Sequence, residues 1–255
     1  MKILTTGILS GIGRYIHENH GGIGLTRNTP VKDFVKIKKD GVDVIVHCAF
    51  NSSRKINSNT LYQYFEDNVL LTKRVISIPH KKFIFFSTVD LYPKDSQSHS
   101  EDEIIDVDSV RGGIYAITKL ISESIVKKYC ENYVILRPTT LLGKHSRKNT
   151  IIKILENQEC EVGLSVKSVY NCVLHSDILD FIKFSIDHDL KGIYNLASSE
   201  NITLLEVANM LGRKVKFGTY HYDVGNINNN KISYIFPVFK KISKEIVTQF
   251  IGGKM

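Results

Sequence analysis

The sequence predicts an α/β protein built on a doubly wound parallel sheet, and three observations predict it. The chain opens with a short apolar strand, residues 2–6, that runs directly into a glycine turn and a helix. A later stretch at 42–49 is apolar nearly throughout rather than alternating, the pattern of a strand buried on both faces, and further strands are read at 82–88, 132–137 and 192–197. Amphipathic helical segments separate them, and such βαβ alternation folds into one parallel sheet with helices on both sides. With 255 residues, 42% of them hydrophobic, the chain is long enough to bury a full core.

The first strand leads into Gly7-Ile8-Leu9-Ser10-Gly11-Ile12-Gly13 and a short helix ending at Gly21-Gly22. Strand, glycine turn and helix N-terminus form a phosphate cradle, because backbone N–H groups and the helix dipole point at an anion. Gly7 permits the turn, Gly11 lets a pyrophosphate approach, and Gly13 lets the helix pack on the strand. Following a strand, the turn is expected to be a Rossmann-like dinucleotide site, with a purely structural turn the alternative. The next strand, 23–26, ends in Arg27-Asn28. An acid there would bind the ribose hydroxyls of NAD, whereas an arginine pairs with the 2′-phosphate of NADP. No acid follows the strand, so NADP is favoured over NAD; Arg27 stacked on the adenine or facing solvent is the alternative.

Residues 31–40 read as a basic amphipathic helix, 51–59 as a polar loop, and 61–76 as a helix with Asn68 in its middle. Asn68 has two readings, a structural hydrogen bond or membership of an active-site network. The strand at 82–88 places Ser87 and Thr88 at the carboxyl edge of the sheet, where such folds bind ligands. A long irregular loop, 89–110, carries Glu101-Asp102-Glu103, read as a solvated acidic surface. Tyr115 and Lys119 follow at i and i+4, hence on one face of a helix running to about Cys130. An ammonium one turn away favours the phenolate, so the pair is expected to form a general acid/base with a lowered tyrosine pKa. Beyond the strand at 132–137 come helices at 150–157, 178–187, 203–211 and 242–250, short strands at 168–173 and 215–222, and a polar loop at 226–230. Asp177 stands near the start of the second of these helices.

The net charge of +8 is spread over short runs such as Lys127-Lys128 and Lys240-Lys241, which is a solvated surface and not a nucleic-acid groove. No apolar run reaches membrane-spanning length. Cys48, Cys130, Cys160 and Cys172 lie far apart with no Cys-x-x-Cys, so buried free thiols in a reducing, cytoplasmic setting are expected, with no metal site.

Taken in order, Thr6-Gly7 through Gly13, His47-Cys48-Ala49, Asn68, Ser87-Thr88 with Leu91-Tyr92, Tyr115 to Lys119 with Glu123, Arg137-Pro138 through Gly143, His175-Ser176-Asp177 and Tyr194-Asn195 resemble the extended branch of the short-chain dehydrogenase/reductase superfamily, its nucleotide-sugar epimerase, dehydratase and reductase group. The resemblance spans residue 2 to about residue 211. It implies a catalytic triad of Thr88, Tyr115 and Lys119, with Ser87 the fallback for Thr88. Tyr115 would move the hydroxyl proton, Thr88 would bond the same oxygen, and Lys119 would lower the tyrosine pKa and hold the nicotinamide ribose. Gly7, Gly11, Ile12, Gly13, Arg27, Asn28, Ala49, Asn68, Ser87 and Pro138 would complete the cofactor site. Thr88, Thr140, Lys167 and Tyr170 would face a nucleotide-sugar substrate.

The implied organisation is a Rossmann-like domain over 1–160, completed by about 175–197, with a small substrate-binding lobe from 139–174 and 198–255. Residues 89 and 90, Val and Asp, stand where the family's 4,6-dehydratases carry Asp-Glu, which argues against dehydration. Reduction of a 4-keto-6-deoxy sugar nucleotide by NADPH is the leading expectation. An NAD-dependent 4-epimerase is the alternative, and a non-catalytic NAD(P)-binding sensor or scaffold is the rival from another class. The family also implies a homodimer built on the Tyr115 helix and the helix at 61–76.

Overall fold

The computed structural model describes residues 1–51, 53, 55–110 and 112–253. Six parallel strands form the central sheet in the order Gly192–Leu196, Tyr133–Pro138, Lys82–Phe86, Val44–His47, Ile3–Thr6, Ile23–Leu25. The carboxyl ends are level: Thr6 pairs with His47, His47 with Phe85, and Phe86 with Leu136. The chain first winds outward to Ile23–Leu25, then crosses back to the other side of Ile3–Thr6. That reversal opens a crevice at the carboxyl edge, the place where doubly wound sheets bind ligands. Thr6 Oγ1 closes its floor, accepting from the amides of Cys48 and Ala49 at 3.1 and 2.9 Å and bonding His47 Nδ1 at 2.7 Å.

Helices cover both faces, as the continuous apolar strands require. Ile12 and Ile16 of the Gly11–His20 helix and Ile178, Phe181 and Ile182 of the His175–Asp187 helix pack on one face. Phe34, Ile37, Val75 and Val126, from the helices on the other side, pack on the opposite face. A separate core joins Leu142, Ile152, Tyr170, Leu174, Leu204, Val247 and Phe250 beneath the carboxyl edge. No described helix is long and apolar enough to cross a membrane.

Several local readings change. The helix at 61–76 is three pieces, Ser58–Phe65, a π-helical turn at Glu66–Leu70, and Leu71–Ile76. The strand at 168–173 is two, Val169–Tyr170 and Cys172–Leu174. The strand read at 215–222 is Lys214–Tyr220, but its parallel partner Glu159–Leu164 and a helix at Asn230–Ile235 carry no signal in the hydrophobic pattern, because their side chains are half-exposed or polar. The acidic patch is solvated only in part, at Asp102. Glu101 is buried and accepts the Asn195 amide at 2.8 Å, and Glu103 bonds His99 at 2.8 Å. The supposedly irregular loop is held by Ser98–His99, which pairs in parallel with Asn226–Ile227.

The glycine turn is fixed by space. Gly7 has φ +74°, and a Cβ there would lie 2.8 Å from the Ala49 amide nitrogen. A Cβ on Gly13 would lie 2.6 Å from the Gly7 carbonyl oxygen. Gly13→Ala therefore pushes the helix off the strand and is expected to cost about 1–3 kcal/mol. Urea denaturation reads this directly, and an unchanged midpoint would refute the close-packing account.

Candidate active site

The Lys82–Phe86 strand delivers Ser87 and Thr88 to the crevice, and the Gly113–Tyr129 helix lays Tyr115 and Lys119 beside them. Thr88 stays extended and caps a short 3₁₀ turn, its Oγ1 accepting from the Asp90 amide at 3.1 Å. The Thr88 and Tyr115 side chains are hydrogen-bonded to each other. The Tyr115 ring stands edge-on to Phe50, with centroids 4.8 Å apart. Lys119 is buried, donates to the Phe86 carbonyl at 2.6 Å, and lies 4.3 Å from the centre of the Phe50 ring.

Electrostatics here depart from the spacing argument. Burial, then the Asp90 charge, pushes the Tyr115 phenol up to about 12, against the opposing pull of Thr88 and Arg147. Burial also brings Lys119 down to about 7. The lysine turns its nitrogen onto a strand carbonyl and an aromatic face, and burial leaves at neutral pH only part of the charge that was expected to lower the tyrosine. Tyr115 consequently keeps its proton at neutral pH.

Two cavities open along the crevice. One, of about 330 Å³, is lined by the glycine turn, Ser87, Thr88, Tyr115, Lys119, Pro138, Thr140 and Tyr222. The other, of about 710 Å³, is lined by Gly7, Thr26 to Thr29, Phe34, Ala49, Asp67 and Arg74. Gly7, Gly11, Ile12, Gly13, Arg27, Asn28, Ala49, Ser87, Pro138 and Thr140 thus line these cavities together with the three triad residues. Ser87 Oγ is buried without a hydrogen-bond partner among the described residues, and the 330 Å³ cavity is where it can gain one.

Three expected residues lie elsewhere. Asn68 is buried inside the π-helical turn. Its Oδ1 accepts from the Asn51 amide at 2.7 Å, and its carbonyl accepts from Ser122 and Thr72 at 3.1 and 2.8 Å. Its contacts are those of a brace between helix and loop. Tyr170 is in the lobe core and lines neither cavity; Tyr222, ring centroid 4.9 Å away, reaches the cavity instead. Lys167 is exposed and outside both, whereas Lys148 lines the smaller cavity. An acid does meet Arg27: Asp67, from the π-helical turn, accepts from Arg27 at 2.8 Å, from Asn51 at 2.7 Å and from Gln63 at 3.1 Å. Forty residues of sequence separation hid it. Arg147, Lys148 and Tyr222 stand outside every motif, and only their place in the fold marks them.

Two buried histidines flank this region. His175 lines the smaller cavity, its Nδ1 3.0 Å from the Lys144 carbonyl. Burial lowers its pKa to about 4, and lowers that of His47 to about 3. Both are neutral when folded and protonated in the unfolded chain below about pH 6.5. The unfolded chain then binds more protons, so stability falls as pH drops from about 6.5 through about 4. A calorimetric melt is expected to show the midpoint falling by several degrees from about pH 7 to about pH 5; a flat profile would contradict it.

The sites fit a nicotinamide dinucleotide. A glycine cradle with no room for side chains at Gly7 and Gly13 separates a wide cavity from a narrow one holding an unpartnered hydroxyl. Comparison with curated protein sequences finds no match. Solved structures share the fold. A dTDP-4-dehydrorhamnose reductase from Yersinia enterocolitica is 21% identical, with a TM-score of 0.79 and 98% of each chain covered. One from Bacillus anthracis, in complex with NADP, is 16% identical, with a TM-score of 0.79 and 98% of this chain and 99% of that one covered. A UDP-glucuronic acid 4-epimerase from Bacillus cereus, in complex with UDP-glucuronic acid and NAD, is 17% identical, with a TM-score of 0.77 and both chains covered completely. A family model described as NAD dependent epimerase/dehydratase matches residues 16–197, which hold the Thr88, Tyr115 and Lys119 cluster. The chain belongs to the NAD dependent epimerase/dehydratase family.

Proposed function

We propose that the protein reduces the keto group of a 4-keto-6-deoxy sugar nucleotide with NADPH. The observation that carries this reading is the cavity that gathers Ser87, Thr88, Tyr115 and Lys119, where burial holds the Tyr115 phenol in its protonated form. A phenol that holds its proton at neutral pH is a proton donor, which reduction of a carbonyl needs. Oxidation of a hydroxyl, the first half of epimerisation, needs the phenolate instead.

Tyr115 donates its proton to the carbonyl oxygen, and Thr88 holds that oxygen through its hydroxyl. Lys119 binds the nicotinamide ribose and, near its midpoint of about 7, passes on a replacement proton. Ser87 gives its free hydroxyl to the nicotinamide end. Arg27 and Arg74 supply positive charge to the adenosine cavity, where a 2′-phosphate would lie. A bound reduced nicotinamide supplies the hydride. Thr140, Lys148 and Tyr222 form the substrate end in place of Lys167 and Tyr170.

Asp67 favours a second reading. A carboxylate against Arg27 suits ribose hydroxyls better than a phosphate, and an NAD-dependent 4-epimerase would use it so. Loss of NADPH absorbance on adding dTDP- or UDP-linked 4-keto-6-deoxyglucose is the expected result. Interconversion of UDP-sugars with NAD, and no NADPH consumption, would replace this reading with the second.

Homodimerisation is also proposed, through the helix bearing Ile117, Leu120, Ile121 and Ile125, all half-buried in the single chain. Ile121→Asp is then expected to give a monomer in sedimentation velocity, and a wild-type monomer would exclude the interface.

A further inference from the structure

Among the described residues, only Ser10, Phe50 and Arg147 line both cavities. A dinucleotide with adenosine in the wide cavity and nicotinamide in the narrow one carries its diphosphate across this junction. Ser10 belongs to the glycine turn and Phe50 is apolar, so among the described residues Arg147 is the one cation common to the two. Arg27 and Arg74 lie on the adenosine side alone, and Lys148 on the catalytic side alone. We propose that Arg147 clamps the cofactor diphosphate against the glycine turn, an inference that rests on the dinucleotide reading above.

Three features support it. First, the side chain already lies over the cradle. Its Nε and Cγ are 3.7 and 3.8 Å from the point a Cβ on Gly11 would occupy, and outside the helix itself and Gly11's chain neighbours no other described residue comes within 4 Å of that point. Second, the turn lacks one of its own donors. The amides in the first turn of a helix ordinarily serve an anion. Here the Gly11 amide is donated to the His145 carbonyl at 3.0 Å. The segment that takes this donor brings back a guanidinium with several donors and a full charge.

Third, that segment is held in place. His145 sits at φ 67°, Ser146 donates its amide to Gly143 at 3.1 Å, and Asn149 caps the Thr150–Glu156 helix by accepting from Ile152 at 2.9 Å. His145 Nε2 and Lys144 Nζ both bond Glu18, at 2.7 and 3.2 Å, which ties the segment to the helix of the glycine turn. Arg147 itself has no hydrogen bond or ion pair among the described residues, so the guanidinium is free to take a ligand.

A diphosphate also occurs in a nucleotide-sugar, and the test separates the two sources. Isothermal titration of wild type, Arg147→Ala and Arg147→Lys is made with NADPH, with adenosine 2′-monophosphate and with UDP. Loss of the guanidinium is expected to weaken NADPH about 10- to 100-fold, the scale of a charge-assisted contact. Adenosine 2′-monophosphate and UDP should stay within about twofold, and lysine should recover part of the NADPH affinity. NADPH affinity unchanged in Arg147→Ala, or UDP weakened in its place, would overturn the clamp. Equal loss of adenosine 2′-monophosphate would also count against it, since that ligand has no diphosphate. A wild-type protein that binds neither NADPH nor NADH would overturn the dinucleotide reading itself, and is distinguished by failing before any substitution is made.

Discussion

Tyr115→Phe is expected to lower turnover by about 10²- to 10⁴-fold while NADPH affinity stays within about twofold. The substitution keeps the ring, and with it the edge-on packing against Phe50 at 4.8 Å. It removes only the hydroxyl that bonds Thr88 and would protonate the carbonyl. Thr88→Val, which keeps the volume and loses one hydrogen bond to the same oxygen, should cost less, about tenfold or a little more. Steady-state rates combined with a separate binding titration check both variants. Tyr115→Phe with near wild-type turnover would remove the tyrosine from the chemistry. The wild-type rate should fall first as pH rises through about 7, where Lys119 loses the proton it passes on, and again where the phenol itself titrates, near 12.

Arg137→Met is expected to lower stability by about 3–5 kcal/mol, and the melting temperature by roughly 6–20 °C. Arg137 is the largest of the fully buried side chains. Its Nε and Nη2 bond Glu123 at 2.9 and 2.7 Å, and its Nη1 donates to the Tyr92 hydroxyl at 2.7 Å. Tyr92 donates in turn to Asn195, whose amide Glu101 accepts. This chain ties the strand that ends at Pro138 to the Tyr115 helix and to the loop after Thr88. Removing the arginine leaves the Glu123 carboxylate fully buried and without its counter-ion, which is costly whether it stays charged or takes up a proton.

The double variant Glu123→Leu/Arg137→Met removes both charges and should recover most of the loss, because paired buried charges repay little beyond their own desolvation. Thermal melts of the single and double variants decide this. A single variant as stable as wild type would show that Glu123 finds another partner. A double variant no better than the single would place the stabilisation in the Tyr92 and Asn195 bonds instead.

Some of this protein is local and was legible in its residues. Apolar strands ending in small polar residues give a parallel sheet, because each strand's burial is written in its own composition. Gly7, Gly11 and Gly13 follow the first strand directly, so the cradle is a matter of neighbouring backbone atoms. Tyr115 and Lys119 share a helix face by spacing alone, and Thr88 ends a strand. What the tertiary structure decided is whatever depends on groups distant in sequence. Spacing said that an ammonium lies near the phenol; burial decided that the lysine falls to about 7 and the tyrosine rises to about 12.

The same holds for partners. Arg27 looked free of acids until the Glu66–Leu70 turn brought Asp67 to it, and Glu101 looked solvated until Asn195 covered it. Tyr170 gave up its expected place to Tyr222 because the Val169–Tyr170 strand turns that ring into the lobe core. Arg147 belongs to no motif, and its position over Gly11 exists only because the segment after Gly143 folds back onto the first helix. Periodicity and spacing report the surroundings of a residue along its own element. Desolvation, ion pairing and cavity lining are set by atoms that approach through space, and those the chain acquires only on folding.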